Sequence, residues 1–457
     1  MATTYSQTFD SYWRGILQRK SPRGQDAGFL DEALNVAFRG GAIQSRPGIR
    51  PFNAATFSGI VRGMGWHVKT DGTRELLVAA GTALQRCSIA GDPIDIPLTN
   101  LPLYNQTRSF VTKVHFLSLS GGTNTTFIYD GVNCNVKWDG ELLSKMGLPD
   151  GTTPTQTADN AGNIEKGTRT YVITLLSPYH EGDISLVSYE VTLTTNGHAL
   201  TFASPVQTPD AVGSAATIQA AAALNQYDDP QVTRWRLWRT FAADATLSFI
   251  GEADIGVDII DNVSDETLLG SDVVEQLVNS GPGPVSVGSP IVAMVEHRGQ
   301  LVAVFANDLS LLHFSNFDPD YMVPEGWPRN FVQPVSHGDG DVITALRSFN
   351  EWCVVFKQNS SHAIIGDAFK DYKIVPMLAG GTRQGIGCGF PGSVLQIENA
   401  VFFASRDGIY RIDRTGELTA VRMTTNIDDL YAAANFSLGS AAFFDRKKRI
   451  FVFLGHG

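Results

Sequence analysis

What most limits the folds open to this chain is a recurring unit: short runs of β-branched and aromatic residues divided by Asp-Gly pairs. Residues 59–89, GIVRGMGWHVKTDGTRELLVAAGTALQRCSI, read as a strand, an Asp71-Gly72 turn, a strand from Glu75 to Ala80, a Gly81 break and a further strand. Asp-Gly between apolar runs is a strong hairpin signal, because both residues tolerate the positive φ of a tight hairpin loop. The unit returns at 109–119 and 126–143, with turns at Asp130-Gly131 and Asp139-Gly140, and resumes near residue 285. There SPIVAMVEHRGQLVAVFANDLSLLHFSNF turns at Arg298-Gly299 and Asn307-Asp308, and DVITALRSFNEWCVVFKQNSSHAIIGD and SVLQIENAVFFASRDGIYRIDRTGELTAV repeat the pattern. In the last of these, Arg406-Asp407-Gly408 is the expected turn, with Gly408 supplying the positive φ. Each unit has the length of one propeller blade. With 45 Gly, 21 Pro and 18% charged residues, long surface helices are not expected. The expected fold is all-β, a β-propeller built from 51–148 and 281–457.

Two segments break this grammar. Residues 1–50 contain GFLDEALNVAFRGGAIQSRPGIRPF, whose Gly40-Gly41 and Arg46-Pro47-Gly48 breakers predict an extended arm lying on a neighbouring surface. Phe29, Leu30, Leu34, Val36, Phe38 and Arg46 are its candidate intersubunit contacts. Residues 149–280 form the other segment: a linker at 149–167, rich in Pro, Gly, Thr and Asn, then alternating strings such as GTRTYVITLLSPYHEGDISLVSYEVTLT, VTRWRLWRT and LSFIGEADI. Short alternating strands over about a hundred residues predict an inserted immunoglobulin/fibronectin-like β-sandwich. SAATIQAAAALNQ is its candidate helix.

Charge and motifs narrow the function. A net charge of −11 argues against a surface that grips phosphates by counterion release, though it suits one that DNA passes without sticking. Cys87, Cys134, Cys353 and Cys388 are dispersed and form no CxxC pair, which predicts buried reduced thiols. The nine histidines show neither HExxH nor a close pair, so no metal site is expected, and no cofactor. Two facing carboxylates for glycoside hydrolysis have candidates in Asp318, Asp320, Glu325, Asp339, Asp341 and Asp407. Nearly all sit beside Gly or Pro, where Asp serves backbone turns, and that role outweighs catalysis. HGDGDV at 337–342 lacks the remaining ligands of a calcium loop, and GGTRQGIGCG at 380–389 lacks the Gly-Lys-Ser/Thr ending of a P-loop; the latter is expected to connect two blades. In RWRLWRT, strand alternation puts Arg234, Arg236 and Trp238 on one face and Trp235, Leu237 and Arg239 on the other. The strand is either a subunit or phosphate contact or, by preference, an ordinary sandwich strand with snorkelling arginines. FDRKKRIF, the densest basic run, reads as a hairpin turn.

The arm with GG followed by RPG, the string YVITLLSPYHEGDIS, the WRLWRT strand and GIGCGFPGSVLQIENAVFFASRDGIYRI together resemble the tail nozzle, or tail tubular protein B-like, family of short-tailed bacteriophages. The resemblance implies a structural virion protein and no enzyme. It implies a hexameric ring of propeller chains beneath the head-to-tail adaptor, a channel for DNA, and contacts to tail fibres or other tail proteins. Assembly would take place in the host cytoplasm, with no membrane insertion, and the finished protein would reside in the virion tail. One departure is that the chain stops at RIFVFLGHG, just after a strand-like string, where a closing strand or further domain is expected. The main alternative is a receptor-binding or glycan-processing tail protein on the same propeller, and a third is a cellular propeller scaffold.

Overall fold

Hairpins between sequence neighbours generate most of the sheets in this protein. The computed structural model describes, with short breaks, residues 56–96, 115–148, 151–205, 231–272, 290–315, 326–366, 371–379, 386–413 and 422, and Tyr431. Elsewhere it describes backbone strands alone. The class is all-β, in several small, mainly antiparallel sheets. The chain divides into two compact units, Met1–Phe52 with Gly338–Gly457, and Asn53–His337.

Near the N-terminus, β1 (Gly15–Ile16) pairs in parallel with β2 (Phe29–Leu30), and β3 (Val36–Arg39) pairs with β4 (Ala42–Ser45). The expected extended arm therefore contains a hairpin. Arg39 faces Ala42 across it.

The unit Asn53–His337 holds three four-stranded meanders. The first runs β5 (Val61–Val68), β6 (Arg74–Ala80), β7 (Ala83–Cys87) and β8 (Ile94–Ile96). The second runs β9 (His115–Ser118), β10 (Thr126–Tyr129), β11 (Val136–Trp138) and β12 (Leu143–Lys145). The turns follow the sequence chemistry: Gly72 has φ 79° and Asp71 accepts from Thr73 N at 2.8 Å, while Asp139 caps Glu141 N at 2.9 Å. Alternation on β10 explains the stacking. Ile128 enters a core with Leu77, Ala79 and Leu84 of the first sheet, whereas Phe127 and Tyr129 enter a second core with Ile291, Leu301 and Phe305. A strand buried on both faces needs consecutive apolar residues, which Phe127, Ile128 and Tyr129 supply.

Between the second and third meanders lie two sheets with one shared core. Their strands are β13 (Gln156–Ile164), β14 (Gly167–Leu176), β15 (Tyr189–Leu193), β16 (His198–Phe202), β17 (Arg234–Thr240), β18 (Leu247–Asp254) and β19 (Ile259–Asp261), followed by helix α1 (Asp265–Leu268). One sheet has the order β13-β16-β19 and the other β15-β14-β17-β18. Ile164, Leu200, Phe202 and Ile259 from the first meet Tyr171, Ile173, Trp235 and Leu237 from the second. The linker expected at 149–167 is corrected here, since Gln156–Ile164 is an edge strand with two register shifts. Apart from Thr157, its QTADNAGN composition is poor in strand-forming residues; partners on β16 impose the conformation. The candidate helix SAATIQAAAALNQ lies outside the described residues.

The third meander comprises β20 (Ile291–His297), β21 (Gln300–Phe305), β22 (Leu311–Phe314) and β23 (Val332–Pro334). Arg298 and Gly299 both have positive φ, 53° and 81°, the signature of a two-residue type I′ hairpin.

In the other unit, β24 (Ile343–Phe349), β25 (Trp352–Lys357), β26 (Ser361–Ile365) and β27 (Lys373–Pro376) form a fourth meander. A five-stranded sheet follows, with β28 (Leu378–Ala379), β29 (Leu395–Ile397), β30 (Ala400–Ser405), β31 (Gly408–Asp413) and β32 (Thr419–Arg422) in the order β28-β32-β31-β30-β29. These two sheets share a core of Ala345, Phe349, Phe356, Val401, Phe403 and Tyr410. Finally β33 (Ser440–Phe444) pairs with β34 (Ile450–Leu454), the hairpin expected around the basic run. The turn at 405–408 differs from expectation. Ser405 pairs with Gly408, so Arg406-Asp407 is the loop and Gly408 already belongs to the strand, outside the positive-φ set.

Candidate functional site

The strand RWRLWRT places three arginines within seven residues, and alternation distributes them as the sequence implies. Trp235, Leu237 and Arg239 are all fully buried, while Arg234 is exposed and Arg236 half-buried on the opposite face. The outer arginines do not reach out to a ligand. Arg234 pairs with Glu252, and Arg236 donates to Glu252 at 2.7 Å and to Glu181 at 2.5 Å, its guanidinium stacked over Phe249. Trp238, on the same side, donates to Thr174 at 3.0 Å.

Arg239 is a correction to the snorkelling expectation, because its guanidinium stays inside. It donates to Asp261 at 2.7 Å, to Asp265 at 3.0 Å and to the Val263 carbonyl at 3.1 Å. Arg169, equally buried, donates to Asp265 at 2.9 Å, and the Tyr171 hydroxyl donates to Asp261 at 2.8 Å. Burial is the largest single influence on the Arg239 charge and works against it, but Asp261 and Tyr171 together more than offset it and the guanidinium's pKa is raised. Two cations from β14 and β17 thus meet two anions from β19 and α1, tying one sheet to the other. Each carboxylate is occupied by a guanidinium, so the cluster offers neither nucleophile nor free base; what it supplies is a fixed relation between the two sheets.

The carboxylates weighed for hydrolysis are placed as follows. Asp339 accepts both of its 2.7 Å bonds from Lys357, a fully buried lysine, and that pairing holds its carboxyl below the usual range. Asp341 accepts from Asn359 N at 3.1 Å and Ser360 Oγ at 2.9 Å, and Asp407 from Tyr410 Oη at 2.7 Å. These are turn and hairpin anchors. Asp318, Asp320 and Glu325 lie outside the described residues. Among the described residues, no three His, Cys, Asp or Glu side chains gather in a way that would hold a metal ion. Cys87, Cys353 and Cys388 are buried thiols, with Cys353 pushed up to about 12 by burial, while Cys134 lies outside the described residues. Of the candidate intersubunit residues, Phe29 and Leu30 form β2, Val36 and Phe38 lie on β3, and Leu34 and Arg46 lie outside the described residues. No described helix is long and apolar enough to cross a membrane.

A buried histidine that sequence reasoning passed over joins the first two meanders. The Trp66 carbonyl can only accept, so Ser118 Oγ donates to it; Thr126 Oγ1 then donates to Ser118 Oγ at 2.8 Å, and His67 Nδ1 donates to Thr126 at 3.0 Å. This order fixes the Nδ1–H tautomer. It leaves Nε2 a buried acceptor with no partner, close against Gly140, where an added Cβ would stand 3.1 Å away. Burial lowers the His67 pKa below 6.5, with Glu75 and Asp139 pulling it back up and Lys69 adding to the fall. The unfolded chain therefore takes up a proton first as pH falls below about 6.5, and the joint's stability is lost from there down to the folded pKa. Urea midpoints measured from about pH 7.5 to about pH 5.5 should fall further in the natural protein than in His67→Gln. Equal falls would show that His67 does not carry the pH dependence.

No protein-family model matches the chain, and no curated protein matches it. Among solved structures it is similar to YCF48 bound to D1 peptide, at 11% identity and a TM-score of 0.31, over 87% of this chain and 90% of that one. It is similar to the extracellular domain of a two-component system from B. thetaiotaomicron at 12% identity and a TM-score of 0.26. That likeness covers 87% of this chain and 51% of the other, so this chain spans about half its length. The computationally designed Ika4 protein is similar at 14% identity and a TM-score of 0.23, over 40% of this chain and 99% of that one. Likeness at this level assigns neither activity nor partner.

Proposed function

We propose that the chain is a structural virion protein of a short-tailed bacteriophage, a β-propeller with an inserted immunoglobulin/fibronectin-like sandwich that forms the tail nozzle ring. The observation that carries the proposal is the serial use of four-stranded meanders. They stack face to face in chain order where a shared core links them, as propeller blades do, and a two-sheet body interrupts the series at 149–280. The tail-nozzle resemblance of the sequence supplies the biological context. In this proposal the blades form a rigid wall, the sandwich and the arm contact neighbouring subunits and the adaptor, and DNA passes without tight binding. The turn-bound state of Asp339, Asp341 and Asp407 favours a wall over a hydrolase.

The arm tests the proposal. Apolar residues Phe29, Leu30, Leu34, Val36 and Phe38 buried against an adjacent subunit contribute roughly 25 cal/mol per Å² before ordering costs. The full chain is expected to form closed rings by electron microscopy, and a chain lacking residues 1–38 to remain folded, monomeric and excluded from tails. Normal tails built with the truncated chain would rule out the assembly role. An unfolded truncated chain would instead make the arm part of its own propeller.

A further inference from the structure

Arg347 stands apart from the other arginines packed into this protein. It lies on β24 between Ala345 and Phe349, both in the core shared with the following sheet. Its Nε donates to Gln396 Oε1 of β29 at 3.2 Å. Arg169, Arg234, Arg236, Arg239 and Arg411 each lie against a carboxylate; no described carboxylate meets Arg347. Because a guanidinium cannot shed its proton in a protein, the charge remains, partly desolvated and uncompensated. Burial alone acts on its pKa, downward, with no neighbouring charge opposing it.

We propose that Arg347 and Gln396 form a binding point for a phosphoryl oxyanion. Gln396 spends its carbonyl on Arg347 Nε, which orients the guanidinium and leaves Nη1, Nη2 and the Gln396 amide N–H groups as donors. The local inventory is thus all donors around one fixed positive charge. A tetrahedral oxyanion with several terminal oxygens complements such a set, and the planar fork binds phosphate in bidentate fashion. The site is independent of the nozzle proposal, and its ligand is either free phosphate or the phosphodiester of a nucleic acid.

The test uses the full chain, with inorganic phosphate and a short DNA duplex as probes and chloride of equal ionic strength as the reference. Gln396→Glu places a carboxylate beside the guanidinium, so it should fold at least as well while occupying the anion's place. Arg347→Lys keeps the charge and loses the fork. Phosphate at about ten times its dissociation constant should raise the unfolding midpoint of the natural chain by about 3 °C over chloride. The rise should vanish in Gln396→Glu, and phosphate affinity should fall about tenfold in Arg347→Lys. A duplex retained by the natural chain and lost by Gln396→Glu assigns the phosphate to nucleic acid; a response to inorganic phosphate alone assigns it to the free ion. Equal responses of the natural chain and Gln396→Glu to both probes would overturn the site, whether or not rings are seen by microscopy.

Discussion

Asp261→Ala is expected to destabilise the two-sheet body by about 3–5 kcal/mol, the cost of leaving one member of a buried ion pair alone. Arg239 and Asp261 are both fully buried, and Asp261 also accepts the Tyr171 hydroxyl, whose pKa is raised first by burial and then by that carboxylate. Removing the carboxylate leaves a guanidinium and a phenol without their shared acceptor, while Asp265 and the Val263 carbonyl still hold part of Arg239. Replacing both partners by apolar residues, Arg239→Met with Asp261→Leu, is expected to recover much of the loss, because the cost lies mainly in the orphaned charge. Urea denaturation followed by the fluorescence of Trp235 and Trp238 reads both. A single variant as stable as the natural chain, or a double variant no better than the single, would refute the ion-pair account.

Gly387→Ala should be the most damaging small substitution in the other unit. A Cβ there would stand 2.4 Å from Asn359 N and 2.5 Å from the Gln358 carbonyl group, both backbone, so no rotamer change relieves the overlap. The same stretch is held by Cys388 N donating to the Lys357 carbonyl at 2.9 Å and Thr344 Oγ1 donating to the Cys388 carbonyl at 2.7 Å. Overpacking of this kind costs about 1–3 kcal/mol. Differential scanning calorimetry should show a lowered transition for Gly387→Ala and almost none for Gly270→Ala, where a Cβ meets nothing within 4 Å. Equal transitions would show that the backbones separate freely.

Much of the architecture can be read from single dipeptides. Asp71-Gly72, Asp139-Gly140 and Arg298-Gly299 mark hairpins because their side chains and φ preferences act within the turn itself. The faces of RWRLWRT follow from alternation in the same local way. The buried ion pair does not, since nothing near IIDNVSDETL announces that Asp261 crosses to an arginine of the other sheet. Nor does β13, whose polar composition describes a linker while its partner strand makes it a sheet edge. Gly387 belongs to the same class: the Gly-rich run was visible, but the backbone it touches comes from a hairpin some thirty residues earlier, roughly a meander away.

The two kinds of sheet also differ in when they can form during synthesis. Each meander closes from contiguous chain, so its contacts are local and its pairing can follow emergence closely. The two-sheet body must wait, because its sheet β13-β16-β19 is complete only when Asp261 has appeared, 105 residues after Gln156 (261 − 156). At about 5–20 residues per second that interval lasts about 5–20 s. Until Phe202 has appeared the apolar face of β14, with Tyr171, Ile173 and Leu175, lacks its opposite sheet, and until Ile259 that sheet lacks its last strand. The polar first strand therefore has a second consequence. QTADNAGN can wait in water without recruiting a foreign strand, so the nascent body presents one sticky surface to a crowded ribosome exit in place of two.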